Sequence, residues 1–393
     1  MKNTYYEFFA GGGMAHAGLG SDWDCLLAND FSEKKGASYA ANWGADSLWV
    51  GDVAHLCADK LPGHVDLAWA SFPCQDLSLA GKGAGLDGSR SGTFWAFLKL
   101  ISQLKNQARK PRLIALENVC GALTSRDGKD FEAMLFGVSE LGYRLGAMVI
   151  DAVHFVPQSR PRLFIVAIDE QLSVPLGCSA DGPSPAWHPT AIIKAYNRLP
   201  ASMQARWLWW SLPMPTARLK TLDDIVETHP HGVEWHSESE TQNLLSMMAP
   251  LHRQKVLQAQ AAGHLKVGAI YRRTREGEQR AEVRFDGISG CLRTPSGGSS
   301  RQTILVVDGG HIRSRLLSPR EAARLMGLDD SYVLPTRYND AYHLAGDGVA
   351  VPVVAHLARH IFDKAAALNR ETGVIAMPMR RPVPAPVLVP KAA

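Results

Sequence analysis

The sequence predicts an α/β fold, a mostly parallel sheet with helices on both faces, joined to a smaller irregular domain. Three observations carry this. Short apolar runs alternate with helix-forming stretches through residues 1–169, the pattern of a parallel sheet covered on both sides. The rhythm fails over 170–301, where Pro, Gly, Trp and His are frequent. Strand and helix signals return over 302–368, and 369–393 is Pro/Val-rich with no periodicity, so a disordered tail is expected there.

In order along the chain, Tyr5–Phe9 reads as a short buried strand running into AGGGMAHAGLG, a glycine-rich turn into a helix. Cys25–Asn29 is a second apolar run, with a helical stretch to about Asn42. Asp66–Ser71 reads as a strand, and the polar turn FPCQDLS follows it. Gly92 to about Gln107 is helical, Leu113–Val119 a strand and Asp130–Leu141 a helix. Tyr143–Asp151 and Leu163–Asp169 close the first part as strands. In such sheets the loops after the strands line the ligand crevice. That sets AGGGM, ND, GDV, FPCQ and ENV along one rim.

Beyond residue 169, RWLWW (Arg206–Trp210) reads as a packing cluster. From His264 to Arg301 Lys and Arg outnumber Asp and Glu by eight to four, which ordinarily marks a solvated face. Thr303–Asp308 reads as a strand. In LSPREAARLMGL, Ser318 suits the N-cap and Pro319 the first helical position. A last helix runs from Val349 to about Leu368.

Composition narrows the classes. A chain of 393 residues with 46% hydrophobic content can bury a large core. Net charge is only +4, so any nucleic-acid surface must be local. The six cysteines are scattered without a C-x-x-C pair. This argues against a zinc site of common spacing and for a reducing compartment. No signal-peptide core and no run near the ~20 apolar residues of a membrane span is present, so a soluble, cytoplasmic protein without a membrane partner is expected.

Several residues could carry chemistry. Cys74 sits in a polar turn at a strand end, where a nucleophile, a metal ligand and an inert thiol all remain open. The glycine turn lets backbone approach a ligand and offers free N–H groups, yet lacks a phosphate-loop lysine. Asp30 stands where an acid can bind ribose hydroxyls, and Asp52 could accept from an adenine amino group. Together these suggest an adenosine-containing cofactor, although turn aspartates are common without one. Glu117 follows four apolar residues and is costly to bury unless paired or protonated. Gln158, Arg160 and Arg162 alternate, so they would face one way if extended. A thiol, an acid and two guanidiniums suit addition to an electron-poor ring carbon, with the ring protonated as electrons move in.

Taken together, these motifs resemble the DNA (cytosine-5)-methyltransferase family, in that family's linear order. FFAGGGMAHAGLG looks like its S-adenosylmethionine motif, and AND and GDV like its ribose and adenine motifs. FPCQDLSLAGKGAGLDGSRSG looks like its catalytic loop, ENV and QSRPR like the next two motifs, and RLLSPREAARLMGL and AGDGVAVPVVAHLA like the last two. The resemblance implies a Rossmann-like S-adenosylmethionine-dependent catalytic domain over 1–169. A target-recognition domain would span 170–301, and 302–368 would return to complete the catalytic domain. It implies Cys74 as nucleophile toward C6 of a flipped cytosine in double-stranded DNA. Glu117 would sit at N3 and the amino group, Arg162 at O2, and Arg160 would stabilise loop and backbone. Phe9, Gly11, Gly13, Asp30, Phe31, Asp52, Val53, Pro73, Asp347 and Val349 would line the cofactor pocket, with Phe31 stacked on adenine. Pro73 and Gln75 would shape the loop. Gln75, Lys82, Ser89, Arg90, Arg293 and Arg301 would contact DNA. S-adenosylhomocysteine would be the product, and no metal is implied. A monomer on DNA is expected, with any cognate restriction endonuclease acting separately.

The chain departs from the family at Glu7 (commonly Asp), Met14 (commonly Gly), Asp347-Gly348 (commonly Asn-Ser) and Cys291 (commonly Thr). None of these removes a catalytic group. The Cys-Phe-Thr signature of the tRNA-methylating branch is absent, as is the Asp/Asn-Pro-Pro-aromatic motif of amino-methylating enzymes. A silent DNA-binding relative would not need Cys74, Glu117, Arg160 and Arg162. A nicotinamide dehydrogenase would explain only the glycine turn.

Overall fold

The computed structural model describes residues 2–73, 92–275, 277–293 and 301–371. These form two compact units. The first holds the described residues of 1–150, 161–214 and 353–371, and the second those of 151–160 and 215–352.

The first unit begins with β1 (Asn3–Phe8), α1 (Met14–Leu19), β2 (Trp23–Asp30), α2 (Glu33–Trp43), β3 (Leu48–Val50) and β4 (Leu67–Ala70). It continues through α3 (Thr93–Asn106), β5 (Leu113–Val119), α4 (Lys129–Glu140), β6 (Tyr143–Asp151) and β7 (Pro161–Asp169). The order across its seven-stranded sheet is β3-β2-β1-β4-β5-β7-β6. The ladders β2–β3, β1–β2, β1–β4 and β4–β5 are parallel, and β5–β7 is antiparallel. The sheet is thus mostly parallel, and the strand read at Leu163–Asp169 is the one that runs against the rest. Strands buried on both faces need continuous apolar runs, and LIALEN in β5 is buried throughout. Phe94, Phe97, Ile101 and Leu104 of α3 pack with Tyr6, Phe8, Ile114 and Leu116. Full burial of each such side chain contributes about 1.5–3 kcal/mol.

Residues 170–214 belong to this unit rather than to the irregular domain expected from residue 170. The short strands β8 (Ser179–Ala180) and β9 (Trp209–Trp210) pair with each other, with α5 (Thr190–Arg198) and α6 (Ala201–Gln204) between them. Trp210 is fully buried and donates from its indole nitrogen to Val166 O at 2.9 Å. Gly146 of β6 lets this segment approach closely, since a Cβ there would lie 1.8 Å from Leu208 O. The tryptophan cluster is therefore packing, as its composition suggested.

The second unit is more regular than its sequence implied. Helices α7 (Glu238–Ser246) and α8 (Pro250–Ala261) precede strands β10 (Lys266–Arg275), β11 (Glu278–Arg284), β12 (Thr303–Asp308) and β13 (His311–Leu316). These strands form an antiparallel sheet in the order β11-β10-β12-β13. The basic run is thus largely a hairpin. Its helical neighbour hid in the sequence because α8 exposes Leu251 and Leu257 while burying Val256 and Ala259, which blurs the apolar stripe. α9 (Pro319–Leu325) carries the expected Ser318 cap, closed by Glu321 into a capping box. That glutamate also forms a fully buried ion pair with Arg315 at 2.6 Å. α10 (Tyr338–Asp347) follows. The helix read from Val349 is α11 (Val351–Leu357), a π-helical turn (Ala358–Phe362) and α12 (Asp363–Glu371). Most of the tail beyond lies outside the described residues. Among the described residues no helix is long and apolar enough to cross a membrane, and the cysteines form no disulfide.

Candidate active site

Strand register fixes the rim. Phe8 is level with Asn29 on one side and Ala70 on the other, and Ala70 with Leu116. One residue further along come Asp30, the last residue of β2, Glu117 near the end of β5, and Phe9 and Ser71, the first residues beyond β1 and β4, all at the carboxyl end of the sheet. The chain runs outward from β1 in both directions, to β2–β3 and to β4–β5. This is a topological switch point, where open α/β sheets bind ligands.

The glycine turn departs from β1 through left-handed backbone at Phe9 (φ 59°), Gly11 (φ 57°) and Gly13 (φ 76°). A bulky residue held there costs about 1–3 kcal/mol, and such positions cluster at ligand sites. The space beside Gly11 is open: a Cβ added there would have nothing within 4 Å, whereas at Gly13 that atom would lie 2.3 Å from Trp43 Nε1. Gly13 is thus demanded by packing against α2, and Gly11 borders room for another molecule. Asp30 ties the turn down: its carboxylate accepts from Gly11 N and Ser32 N, both at 2.8 Å. Phe31 follows with 75% of its surface exposed. Asp52 caps the short turn Val53–His55 by accepting from Ala54 N at 2.9 Å, and Val53 is buried. An exposed aromatic, carboxylates at two neighbouring strand ends and an open glycine edge fit an adenosine-bearing cofactor.

Beneath the turn, Glu7 is 1% exposed. Burial raises its carboxyl to about 8, against hydrogen bonds from the His16 and Ala15 backbone.

On the other side of the switch point, Glu117 is buried and paired, its Oε1 3.3 Å from Arg162 Nε. Arg162 also donates to Pro161 O at 2.9 Å. Asn118, to which the motif pattern gave no role, donates to Phe72 O at 3.2 Å and accepts from Val119 N. It ties the end of β5 to the chain two residues before Cys74. The only sequence signal for it was its place in ENV. Pro73 is the last described residue before the loop; Cys74, Gln75, Lys82, Ser89 and Arg90 lie outside the described residues.

Gln158, Arg160 and Arg162 do not face one way. β7 begins only at Pro161, so the alternation does not extend back to the first two. Gln158 is fully buried, donating to Leu325 O and accepting from Leu292 N. Arg160, 2% exposed, donates to Leu292 O, Gly346 O and Gly348 O at 2.7–3.1 Å and lies 3.4 Å from Cys291 Sγ. It clasps two loops of the second unit, one of them on either side of Asp347. Asp347 is exposed and Val349 buried. Arg160→Ala is expected to cost about 3 kcal/mol of unfolding free energy, because it strips partners from buried carbonyls; urea unfolding measures this. Arg293 is exposed, and Arg301 bonds Asn339 and lies over the Tyr338 ring at 5.5 Å.

Comparison with known proteins gives a consistent result. The family model described as C-5 cytosine-specific DNA methylase matches residues 4–363. The type II methyltransferase M.HpaII of Haemophilus parainfluenzae is 26% identical over 384 residues, spanning 92% of this chain and 90% of that relative. M.HhaI of Haemophilus parahaemolyticus, also a type II methyltransferase, is 24% identical over 366 residues, spanning 91% and 93%. Among solved structures, a prophage-encoded putative DNA modification methyltransferase (E. coli) shares the fold. Its TM-score is 0.58 at 17% identity, covering 94% of this chain and 100% of that one.

Proposed function

The chain belongs to the C-5 cytosine-specific DNA methylase family and is a DNA cytosine-5 methyltransferase; from that premise we propose how its residues divide the work. The target cytosine leaves the duplex stack, because C6 cannot be reached within it. The Cys74 thiolate adds to C6, forming an S–C6 bond and pushing ring electrons toward N3 and C5. Glu117 meets N3 and the amino group and manages the proton there. Arg162 holds both Glu117 and the ring oxygen O2. S-adenosylmethionine, when bound, supplies the methyl group that C5 receives, and S-adenosylhomocysteine is left. Loss of the C5 proton restores the C5–C6 double bond as the S–C6 bond breaks, which frees Cys74.

The observation that carries this reading is the adjacency of β1, β4 and β5, whose carboxyl ends lead into the glycine turn, into the chain before Cys74 and to Glu117, with Glu117 held by Arg162. It sets the cofactor turn and the acid on either side of the chain that leads into Cys74. For the cofactor, Phe9, Gly11, Gly13, Asp30, Phe31, Asp52, Val53 and Pro73 are assigned from the first unit, and Asp347 and Val349 from the second. Phe31→Ala is expected to weaken S-adenosylmethionine binding about tenfold, the scale of one lost ring contact, with thermal stability nearly unchanged since the ring is exposed. Calorimetric titration reads this directly.

Arg160 serves as a positioning residue. Gln75, Lys82, Ser89, Arg90, Arg293 and Arg301 are assigned to duplex DNA, and target choice to residues within 170–301. The two Haemophilus relatives are named type II methyltransferases, which supports a DNA-modification role; with it we propose a monomer on nucleoid DNA in the cytoplasm and an endonuclease that acts separately.

Bisulfite sequencing of plasmid from cells expressing the protein, beside a Cys74→Ser control, tests the assignment. Protected cytosines in one short context, absent from the control, are expected. Equal protection in both would overturn Cys74 as nucleophile.

A further inference from the structure

We propose that Glu7, His16 and Cys25 form a binding site for a thiophilic divalent cation, of which zinc is the natural probe, on the interior side of the glycine turn. The three residues come from β1, α1 and β2. Their ligand atoms all lie within 4.8 Å of one another. A cation at the centre of such a triangle is at most about 2.8 Å from each, so closing to the 2.0–2.3 Å of zinc–ligand bonds needs shifts under about 1 Å.

A second observation points to a ligand. Glu7 Oε2 is buried and has no hydrogen-bond partner. A buried polar atom without a partner costs about 1–3 kcal/mol. The Tyr39 hydroxyl bridges the remaining two groups, 3.1 Å from His16 Nδ1 and 3.5 Å from Cys25 Sγ, and is the neighbouring oxygen for a fourth position. His16 is further fixed by stacking on Trp43 at 4.4 Å. These ligands are nine residues apart in sequence and form no metal motif, so the cysteine spacing gave no sign of them.

Charge balance favours the site. With no cation all three groups are held neutral: burial raises Glu7 to about 8 and Cys25 to about 12 and lowers His16 to about 4. Asp30 adds to the rise at Glu7, and Tyr5 and Tyr39, both raised by burial, stay neutral beside Cys25. Binding a dication displaces one proton from the carboxyl and one from the thiol. The result is a neutral buried cluster of cation, carboxylate, thiolate and imidazole.

The test uses the full chain, dialysed against Zn2+ and freed of loose metal by gel filtration. Elemental analysis is expected to find about one zinc per chain in wild type and none in Cys25→Ser or Glu7→Gln. Co2+ loading should give a thiolate-to-metal absorption band that survives Cys57→Ser and Cys120→Ser. No retained zinc in folded wild type, equal retention in Cys25→Ser, or a Co2+ spectrum without the thiolate band would each overturn the site. The wild-type spectrum decides the matter even if a variant fails to fold.

Discussion

Cys74→Ser is expected to lower methyl transfer by on the order of 10⁴-fold or more while S-adenosylmethionine binding stays within about twofold. An alcohol is a far weaker nucleophile than a thiolate at neutral pH. The expected split follows from position. The residues proposed for the cofactor, Phe9, Gly11, Asp30 and Phe31, follow or end β1 and β2, whereas the chain that leads to Cys74 leaves β4, on the other side of β1. A duplex carrying 5-fluorocytosine, which has no C5 proton to lose, should be retained covalently by wild type and released by the variant. Methylation by Cys74→Ser at a rate near wild type would end the covalent mechanism. Parallel loss of cofactor binding would place Cys74 in the wrong pocket.

The rim could be read from the sequence because it is a property of topology. Once strands alternate with helices, the residues just after each apolar run must fall on one edge of a parallel sheet. Phe8, Asn29, Ala70 and Leu116 pair in register, and Phe9, Asp30, Ser71 and Glu117 are the next residues along. The motif resemblance then gave those positions roles. What escaped the reading were interactions that depend on where a strand begins and on pairing distant in sequence. Gln158 and Arg160 alternate with Arg162 on paper, yet the strand starts after them, and their partners are backbone atoms near residues 292, 325 and 346–348. No local pattern announces a carbonyl more than 130 residues away.

The second unit shows the same limit in another form. A half-exposed antiparallel hairpin such as β10–β11 alternates weakly when its exposed positions are arginines and the consecutive small residues Gly268 and Ala269, on opposite faces, are both buried. Gly268 is required there because a Cβ would lie 2.6 Å from Val283 and 2.8 Å from Phe285. Small residues chosen for close packing look like loop in a sequence. The buried Glu7 is a third case: in the sequence it is one methylene longer than the family's usual Asp, and only the fold reveals that His16, Cys25 and Tyr39 gather around it.

Glu117→Gln is expected to slow the chemical step by about 10²–10⁴-fold, the usual range for a positioned acid–base group. Duplex affinity should change by less than about threefold. The substitution keeps the shape and one carbonyl oxygen, so Arg162 retains a neutral partner at the 3.3 Å position. It removes the group that carries the proton to and from N3 as electrons enter and leave the ring. Asn118 makes its own bonds to Phe72 O and to Val119 N, so the link from β5 to the chain before Cys74 survives, and covalent addition remains geometrically possible. Single-turnover kinetics with saturating duplex and cofactor separate the cases. A fall in the rate of methyl transfer with unchanged duplex Kd supports proton management by Glu117. A weakened duplex Kd with an unchanged single-turnover rate would instead make the Glu117–Arg162 pair a base-binding clamp and move the proton step to another group.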